Sequence, residues 1–137
     1  ATDSASTQEQ LRRFGEKVGM AFQIKDDLFD YGAGAAGKPV GIDLREKKMT
    51  LPLIHTLNKA SWTERRKLIN IVKNHNTNPK KVRWLVDFVL ESDGIGYSQR
   101  MMHQYAEESR AILRSFPESD ARHALEGLIT FTIEREK

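Results

Sequence analysis

Three aspartates stand close together between residues 23 and 30, at spacings that could bind a metal ion. Asp26 and Asp30 are four positions apart and Asp27 and Asp30 are three apart, which places their side chains next to one another on a helix. Gln23 joins the same face, three positions before Asp26. Mg²⁺ prefers a few carboxylates together with water and phosphate oxygens. The segment therefore predicts a Mg²⁺ site, although a solvated acidic helix face would show the same spacing.

Two lysines follow the aspartates at a distance that suits a phosphorylated ligand. Lys38 follows the glycine-rich segment 32–37, and Lys48 lies ten positions further on. A loop followed by a new helix can bring both ammonium groups over the acidic face, where they would neutralise a metal-bridged diphosphate. Asp43 lies between them and is expected to hydrogen-bond metal-bound water. Considered alone, each lysine is more often a surface charge, and a loop aspartate more often forms a turn or a helix cap.

The glycine-rich segment matches two nucleotide-binding patterns in part. Gly32, Gly34 and Gly37 have the spacing of a dinucleotide-binding fingerprint, and Lys38 nearly completes a P-loop. Both patterns require a strand before the glycines, whereas a helix is expected there, and Pro39 stands where a P-loop needs Ser or Thr. We therefore reject both interpretations.

The composition indicates one helical domain without cysteine chemistry. The 137 residues are 39% hydrophobic and 30% charged, which is enough to bury a single core. The absence of cysteine excludes disulfides and thiolate zinc sites and fits a cytoplasmic protein. The net charge of +3 is mild and the basic clusters are separated, so no nucleic-acid partner is expected. No apolar run is long enough for a membrane span.

Helical periodicity covers the whole chain, and no strand-like alternation interrupts it. The first helix is expected over about residues 7–31. Further helices are expected to begin near residues 48–52, at the capping box Ser61–Glu64, at Asn78-Pro79 and near Glu118. Another, which carries the apolar residues Met101 to Leu113, is expected to end at Pro117. We predict an all-α helical bundle forming a single domain over residues 1–137.

Apolar residues at three- and four-residue spacing predict which helix faces are buried. In the first helix these residues are Leu11, Phe14, Val18, Ala21 and Leu28. In the last helix they are Ala121, Leu125, Leu128 and Ile129.

Three ordered segments together resemble the trans-polyprenyl diphosphate synthases. They are residues 19–30 (G-x-x-F-Q-x-x-D-D-x-x-D), residues 37–43 (G-K-P-x-G-x-D) and residues 48–52 (K-x-T-L-P). The first corresponds to that family's second aspartate-rich motif. The resemblance implies the isoprenoid synthase fold, an all-α bundle around a deep cavity. This chain would be its C-terminal half, with the motif region over 19–54 and a helical C-terminal part over 61–137.

The resemblance also implies a reaction. An allylic diphosphate loses its diphosphate group with the help of Mg²⁺, isopentenyl diphosphate attacks the allylic cation, and a proton leaves. The product is an all-trans polyprenyl diphosphate. The segment Thr50–Leu53 favours a medium or long chain, such as an octaprenyl chain, and the full-length enzyme is expected to be a homodimer.

The matched positions imply a role for each residue of the site. The implied metal ligands are Asp26, Asp27 and Asp30, with Asp43 acting indirectly. The implied substrate-binding residues are Phe22, Gln23, Lys38 and Lys48. The implied catalytic residues are Asp26, Asp27, Lys38 and Gln23.

The chain departs from the family in length. Members are about twice as long and carry a first aspartate-rich motif, and no second DDxxD occurs in these 137 residues. We therefore expect the chain alone to be inactive. Two alternatives stay open: a non-catalytic helical regulatory subunit that retains the motif, and a class I terpene cyclase.

Overall fold

The computed structural model describes residues 4–32 and 41–136, and the regular structure in these ranges is helical. The prediction of an all-α fold is confirmed. No helix in the described ranges is both long enough and apolar enough to cross a bilayer. The seven helices found there are α1 (Ser4–Phe29), α2 (Ile42–Arg45), α3 (Leu51–Lys59), α4 (Trp62–Asn74), α5 (Pro79–Glu91), α6 (Gly94–Arg114) and α7 (Asp120–Glu134).

The chain divides into two compact units. Of the described residues, 4–25 and 100–135 form one unit, which we call the terminal unit, and 26–32, 41–99 and 136 form the other, the central unit. The aspartates of the predicted metal site and Lys48 belong to the central unit, whereas Phe22 and Gln23 belong to the terminal unit. The prediction that a single domain covers the whole chain stays a prediction.

The core of the central unit is built from helices α3, α4 and α5. Leu53, Leu68, Leu85 and Val89 are fully buried, and each such aliphatic side chain contributes about 1.5–3 kcal/mol on removal from water. The three- and four-residue spacing of α5 places Val82, Leu85, Val86 and Val89 on this one inward face.

Two predicted helix starts are confirmed in atomic detail. At α4, the Glu64 N–H donates to Ser61 Oγ at 3.2 Å and the Ser61 N–H donates to Glu64 Oε1 at 2.9 Å. At α5, the Lys81 N–H donates to Asn78 Oδ1 at 3.1 Å, and Pro79 occupies the first helical position. These side chains satisfy backbone donors that the helix itself leaves unpaired.

The terminal unit confirms most of the predicted buried face of α1 and corrects that of α7. Leu11 and Leu128 are 44% and 45% exposed, and Ala121 is exposed as well, so the prediction that these three residues face the core is wrong. Helix α7 buries Ile129, as predicted, together with Thr132 and Ile133, which the prediction did not include. Adjacent helical residues point about 100° apart, so Leu128 and Ile129 cannot share the centre of one buried face.

Candidate metal centre

Helix α1 ends inside the predicted metal site, and Asp30 lies in the turn that follows it. The Tyr31 N–H donates to the Leu28 carbonyl at 3.1 Å, which tightens the chain after the helix. The turn buries Asp30 completely. Its Oδ1 accepts a hydrogen bond from the Asp43 N–H at 2.8 Å, the kind of donor that a buried carboxylate requires.

Gly41 brings the chain back to the end of α1. Its N–H donates to the Asp30 carbonyl at 3.0 Å, and its φ of +86° lies in the left-handed region, which favours glycine. A Cβ at this position would approach Val82 Cγ1 to 2.9 Å. Glycine therefore permits both the turn and the close packing, and the short helix α2 that follows carries Asp43 towards the other aspartates.

Asp26, Asp27 and Asp43 form the candidate metal centre. Each offers one carboxylate oxygen, and these oxygens all lie within 4.8 Å of one another. Asp43 is 5% exposed, whereas Asp26 and Asp27 are partly exposed. Three like charges this close repel one another, and a hard divalent cation between them would offset the repulsion through the oxygen ligands it prefers. The donor set therefore fits such an ion.

Asp27 has a second contact that fixes its orientation. Its Oδ2 accepts a hydrogen bond from the N–H of Leu51, the first residue of α3, at 2.9 Å. The preceding residue, Thr50, makes no side-chain cap, and its Oγ1 lies 2.8 Å from the Tyr31 hydroxyl oxygen. Asp27 thus satisfies a helix N-terminal donor in place of Thr50, and the positive end of the α3 dipole favours its negative charge.

Tyr31 is a buried residue close to the carboxylates. The ring is 4% exposed, and burial raises the pKa of its hydroxyl well above the usual range. The hydrogen bond with Thr50 opposes this rise, and the charges of the neighbouring aspartates add to it. Tyr31 is consequently neutral at physiological pH and acts here as a hydrogen-bonding group.

Lys48 supplies a cation near the cluster. Its N–H donates to the Asp43 carbonyl at 2.8 Å, and its Nζ lies 3.1 Å from Glu46 Oε2 with 64% of the side chain exposed. The hydrogen bond and charge of Glu46 raise the pKa of Lys48, with further contributions from Asp43 and Asp26. The ammonium therefore stays protonated. The other predicted lysine, Lys38, lies outside the described residues.

Phe22 and Gln23 lie on α1 in the terminal unit, where both are exposed. The Phe22 ring is 47% exposed, and the guanidinium carbon of Arg135 lies 4.0 Å from its centroid. Arg135 Nη2 also donates to the Phe22 carbonyl at 3.1 Å. The sequence alone does not predict this contact, because nothing local connects positions so far apart.

The structure distributes the predicted aspartates differently from the simple helical face. The sequence groups Asp30 with the ligands Asp26 and Asp27 and gives Asp43 an indirect role. The structure brings the Asp43 carboxylate beside Asp26 and Asp27 and buries Asp30 under the Asp43 backbone. The only local signal for this arrangement is the Gly41-x-Asp43 turn. The metal-binding roles of the four residues stay predictions.

The fold and the cluster together define an all-α protein with a candidate cation site beside a lysine. A family model described as Polyprenyl synthetase matches residues 1–89. The chain belongs to the polyprenyl synthetase family, as the sequence resemblance predicted.

Relatives of this chain differ in the length of the product that their names describe. A short chain isoprenyl diphosphate synthase of Methanothermobacter thermautotrophicus is 34% identical over 128 residues, or 92% of this chain and 39% of the relative. Octaprenyl diphosphate synthase of Escherichia coli is 31% identical over 133 residues, or 93% of this chain and 40% of the relative. The chain thus spans about two fifths of the length of these curated relatives.

The fold of this chain is similar to part of a solved structure. The crystal structure of polyprenyl synthase from Caulobacter crescentus, complexed with calcium and isoprenyl diphosphate, superposes with a TM-score of 0.83 at 32% identity. The match covers 99% of this chain and 42% of that one. The fold described above is therefore a part of the fold of that synthase.

Proposed function

We propose that this chain is part of a Mg²⁺-dependent prenyltransferase that condenses an allylic diphosphate with isopentenyl diphosphate to give an all-trans polyprenyl diphosphate. One observation carries the proposal: in a member of this family, Asp26, Asp27 and Asp43 bring carboxylate oxygens within 4.8 Å of one another. The related Caulobacter crescentus structure, which contains calcium and isoprenyl diphosphate, supports it.

The aspartates are proposed to hold the cation. Asp27 is oriented by the Leu51 N–H, and Asp43 is placed by Asp30, so two of the three carboxylates have defined positions before any ion binds. Such preorganisation lowers the cost of gathering like charges. A divalent cation bound there would supply positive charge to the departing diphosphate.

Lys48 is proposed to contact the diphosphate. Its ammonium is exposed and protonated, and it is held near the aspartates through its own backbone hydrogen bond to Asp43. Binding a diphosphate oxygen requires Lys48 to leave Glu46, and an exposed ion pair of this kind costs about 1 kcal/mol or less to break. Lys38 is proposed to act in the same way.

Phe22 and Gln23 are proposed to lie near the hydrocarbon part of the substrates. The exposed Phe22 ring presents apolar surface that a prenyl group could cover. For the product we propose a medium or long chain, supported by the Thr50–Leu53 segment, while the relatives' names range from short-chain to octaprenyl. We also propose that the full-length enzyme is cytoplasmic and forms a homodimer.

The test is turnover by the full-length polypeptide that contains this sequence. Farnesyl diphosphate, isopentenyl diphosphate and Mg²⁺ should give longer prenyl diphosphates, and Asp26→Ala should lower kcat by about a hundredfold, as removing one preorganised electrostatic group typically does. Asp87→Ala is the matched control, because Asp87 is a carboxylate of the same unit that pairs with Arg83 at the surface. A loss below about tenfold for Asp26→Ala, or an equal loss for both variants, would contradict the proposal.

A further inference from the structure

Positive charge is concentrated in one part of the sequence. Residues 59–83 contain eight Lys or Arg residues and a single carboxylate, that of Glu64. The other 112 residues contain 14 basic and 18 acidic residues. The excess positive charge of the chain therefore comes entirely from this segment, which runs from the end of α3 through α4 into α5 in the central unit.

The single carboxylate of this segment does not neutralise the exposed cations. Glu64 Oε1 accepts the Ser61 N–H in the capping box, which holds it at the start of α4. Within the described part of the chain, no ion pair involves any of the exposed cations Lys59, Arg66, Lys73, Lys80 and Lys81. Their field consequently reaches the solvent with no local compensation beyond counterions.

Helix α4 combines this charge with an exposed aromatic ring. Trp62 is 70% exposed, and the Arg66 guanidinium carbon lies 4.8 Å from its ring centroid. Arg66 follows Trp62 by four positions and Lys73 follows Arg66 by seven, so the three side chains share one face over three turns. The opposite face buries Leu68 and Ile71. Tryptophan is enriched at membrane–water interfaces, where its amphipathic ring lies at the level of the head groups, and basic side chains beside it would be attracted to anionic lipids.

An apolar cavity opens beside this face. It has a volume of about 330 Å³ and is lined by Met49, Leu57, Ile69, Val72 and Lys73. Met49 is 48% exposed, and Lys73 belongs to both the cavity and the charged face. The cavity could take a hydrocarbon chain while the lysine contacts an anionic head group.

We propose that this face of α4, formed by Trp62, Arg66 and Lys73, docks the protein on an anionic lipid bilayer. Arg66 and Lys73 attract the acidic head groups, and the Trp62 ring enters the interfacial region. A single-stranded RNA would also be attracted by the charge, but it would leave the apolar cavity without a role. The proposal needs no metal and no prenyl transfer, so it stands or fails independently of the function proposed above.

The first experiment measures binding of the full polypeptide to phosphatidylcholine vesicles with and without phosphatidylglycerol. Binding should require phosphatidylglycerol and should weaken at high salt, because screening shortens the range of surface charges. Arg66→Gln with Lys73→Gln should lower the partition coefficient about twenty-fivefold, since each basic residue near an anionic surface contributes about fivefold. Arg13→Gln removes an exposed cation of the terminal unit and should change the partition coefficient by less than about twofold.

The second experiment observes Trp62 directly. The chain has two tryptophans, so Trp84→Phe leaves Trp62 as the single tryptophan, which excitation at about 295 nm selects over tyrosine. Its emission should shift to the blue on anionic vesicles and should be quenched by brominated lipid. Stability measured by urea unfolding should be close for all variants, which separates lost docking from lost folding.

Four results would overturn the proposal. The first is equal binding to neutral and anionic vesicles, and the second is unchanged binding of the Arg66 and Lys73 double variant. The third is a Trp62 emission that brominated lipid does not quench, together with tight binding of RNA. The fourth is competition by inorganic phosphate that exceeds that of chloride at equal ionic strength, since this would assign the face to free phosphate.

Discussion

The carboxylate of Asp30 accepts a hydrogen bond at 2.8 Å from the backbone N–H of Asp43, thirteen residues later in the chain. One acidic residue thus positions another without contacting its charge. Asp30 is fully buried and Asp43 nearly so, so this bond forms away from water, where losing it is costly.

Replacing Asp30 should damage both stability and metal binding. Asp30→Ala leaves the Asp43 N–H without its acceptor and should lower the free energy of unfolding by about 1–3 kcal/mol. Mn²⁺ affinity, measured by electron paramagnetic resonance as a substitute for Mg²⁺ affinity, should fall as well, because Asp43 loses its position. Asp30→Asn keeps a carbonyl oxygen at the same place and should retain more of both. Equal effects of the two variants would show that the hydrogen bond is not the cause.

Replacing Asp26 should separate metal binding from stability. Asp26→Asn removes one of three close carboxylates and should weaken Mn²⁺ binding by at least about tenfold. Without metal the variant should be as stable as the parent or more stable by up to about 1 kcal/mol, since like-charge repulsion is relieved. Urea unfolding with and without Mn²⁺ measures both quantities. A variant that loses stability without metal while keeping its Mn²⁺ affinity would argue for a purely structural Asp26.

Lys48 and Glu46 offer a matched pair for testing diphosphate binding. Lys48→Gln should weaken the binding of inorganic diphosphate in the presence of Mn²⁺ by about tenfold, the value of a hydrogen bond between charged groups. Glu46→Gln releases Lys48 from its ion pair and should leave binding equal or tighter. Isothermal titration of each variant provides the comparison. Weaker binding in Glu46→Gln than in Lys48→Gln would exclude Lys48 as the contact.

Tyr31 should make the protein less stable in alkali. Its pKa is raised in the folded state by burial, so the unfolded chain releases this proton first, from about pH 10. The contribution of Tyr31 is therefore fully present below that pH and is lost as the pH rises further. Tyr31→Phe should cost about 1 kcal/mol at neutral pH through the lost Thr50 hydrogen bond. Unfolding free energies from pH 8 to 11 should fall less steeply for Tyr31→Phe, and parallel curves would contradict this.

Replacing a glycine with alanine should lower the stability of the protein where the surroundings are tight and raise it where they are open. A Cβ at Gly94 would come within 2.6 Å of the Pro52 carbonyl oxygen, so Gly94→Ala should lower the unfolding free energy by about 1–3 kcal/mol. A Cβ at Gly127, inside α7, would meet nothing within 4 Å. Gly127→Ala should raise stability by about 0.5–1 kcal/mol. Thermal unfolding of both variants tests the pair, and destabilisation by Gly127→Ala would show that the surroundings of α7 are tighter than described.

Local sequence was sufficient for most of the helices and for their ends. Ser61, Glu64 and Asn78 cap the helices that they predicted, because capping depends on residues within one turn. Local sequence did not predict helix α2. This helix is only four residues long, and it depends on the close packing of Gly41 against Val82. Local sequence also failed to predict that Leu128 is exposed, because Leu128 and Ile129 are both apolar and only Ile129 lies on the buried face of α7.

The candidate site was predictable up to the point where the chain must fold back. The helical spacing of Asp26 and Asp27 places them together, and the structure keeps them so. The approach of Asp43 depends on the turn at Gly41 and on the buried acceptor Asp30, which are tertiary contacts. Periodicity cannot predict such contacts, because it describes only neighbours along one helix.

The hydrogen bond from the Leu51 N–H to Asp27 gives the candidate centre a built-in spectroscopic reporter. The resonance of this one amide proton depends on the charge of the carboxylate that it contacts. An ion drawing electron density from Asp27 should move the Leu51 signal in a ¹⁵N correlation spectrum and alter its exchange with solvent. Occupancy of the centre could then be followed one residue inside helix α3, without substrate, turnover or any substitution in the chain.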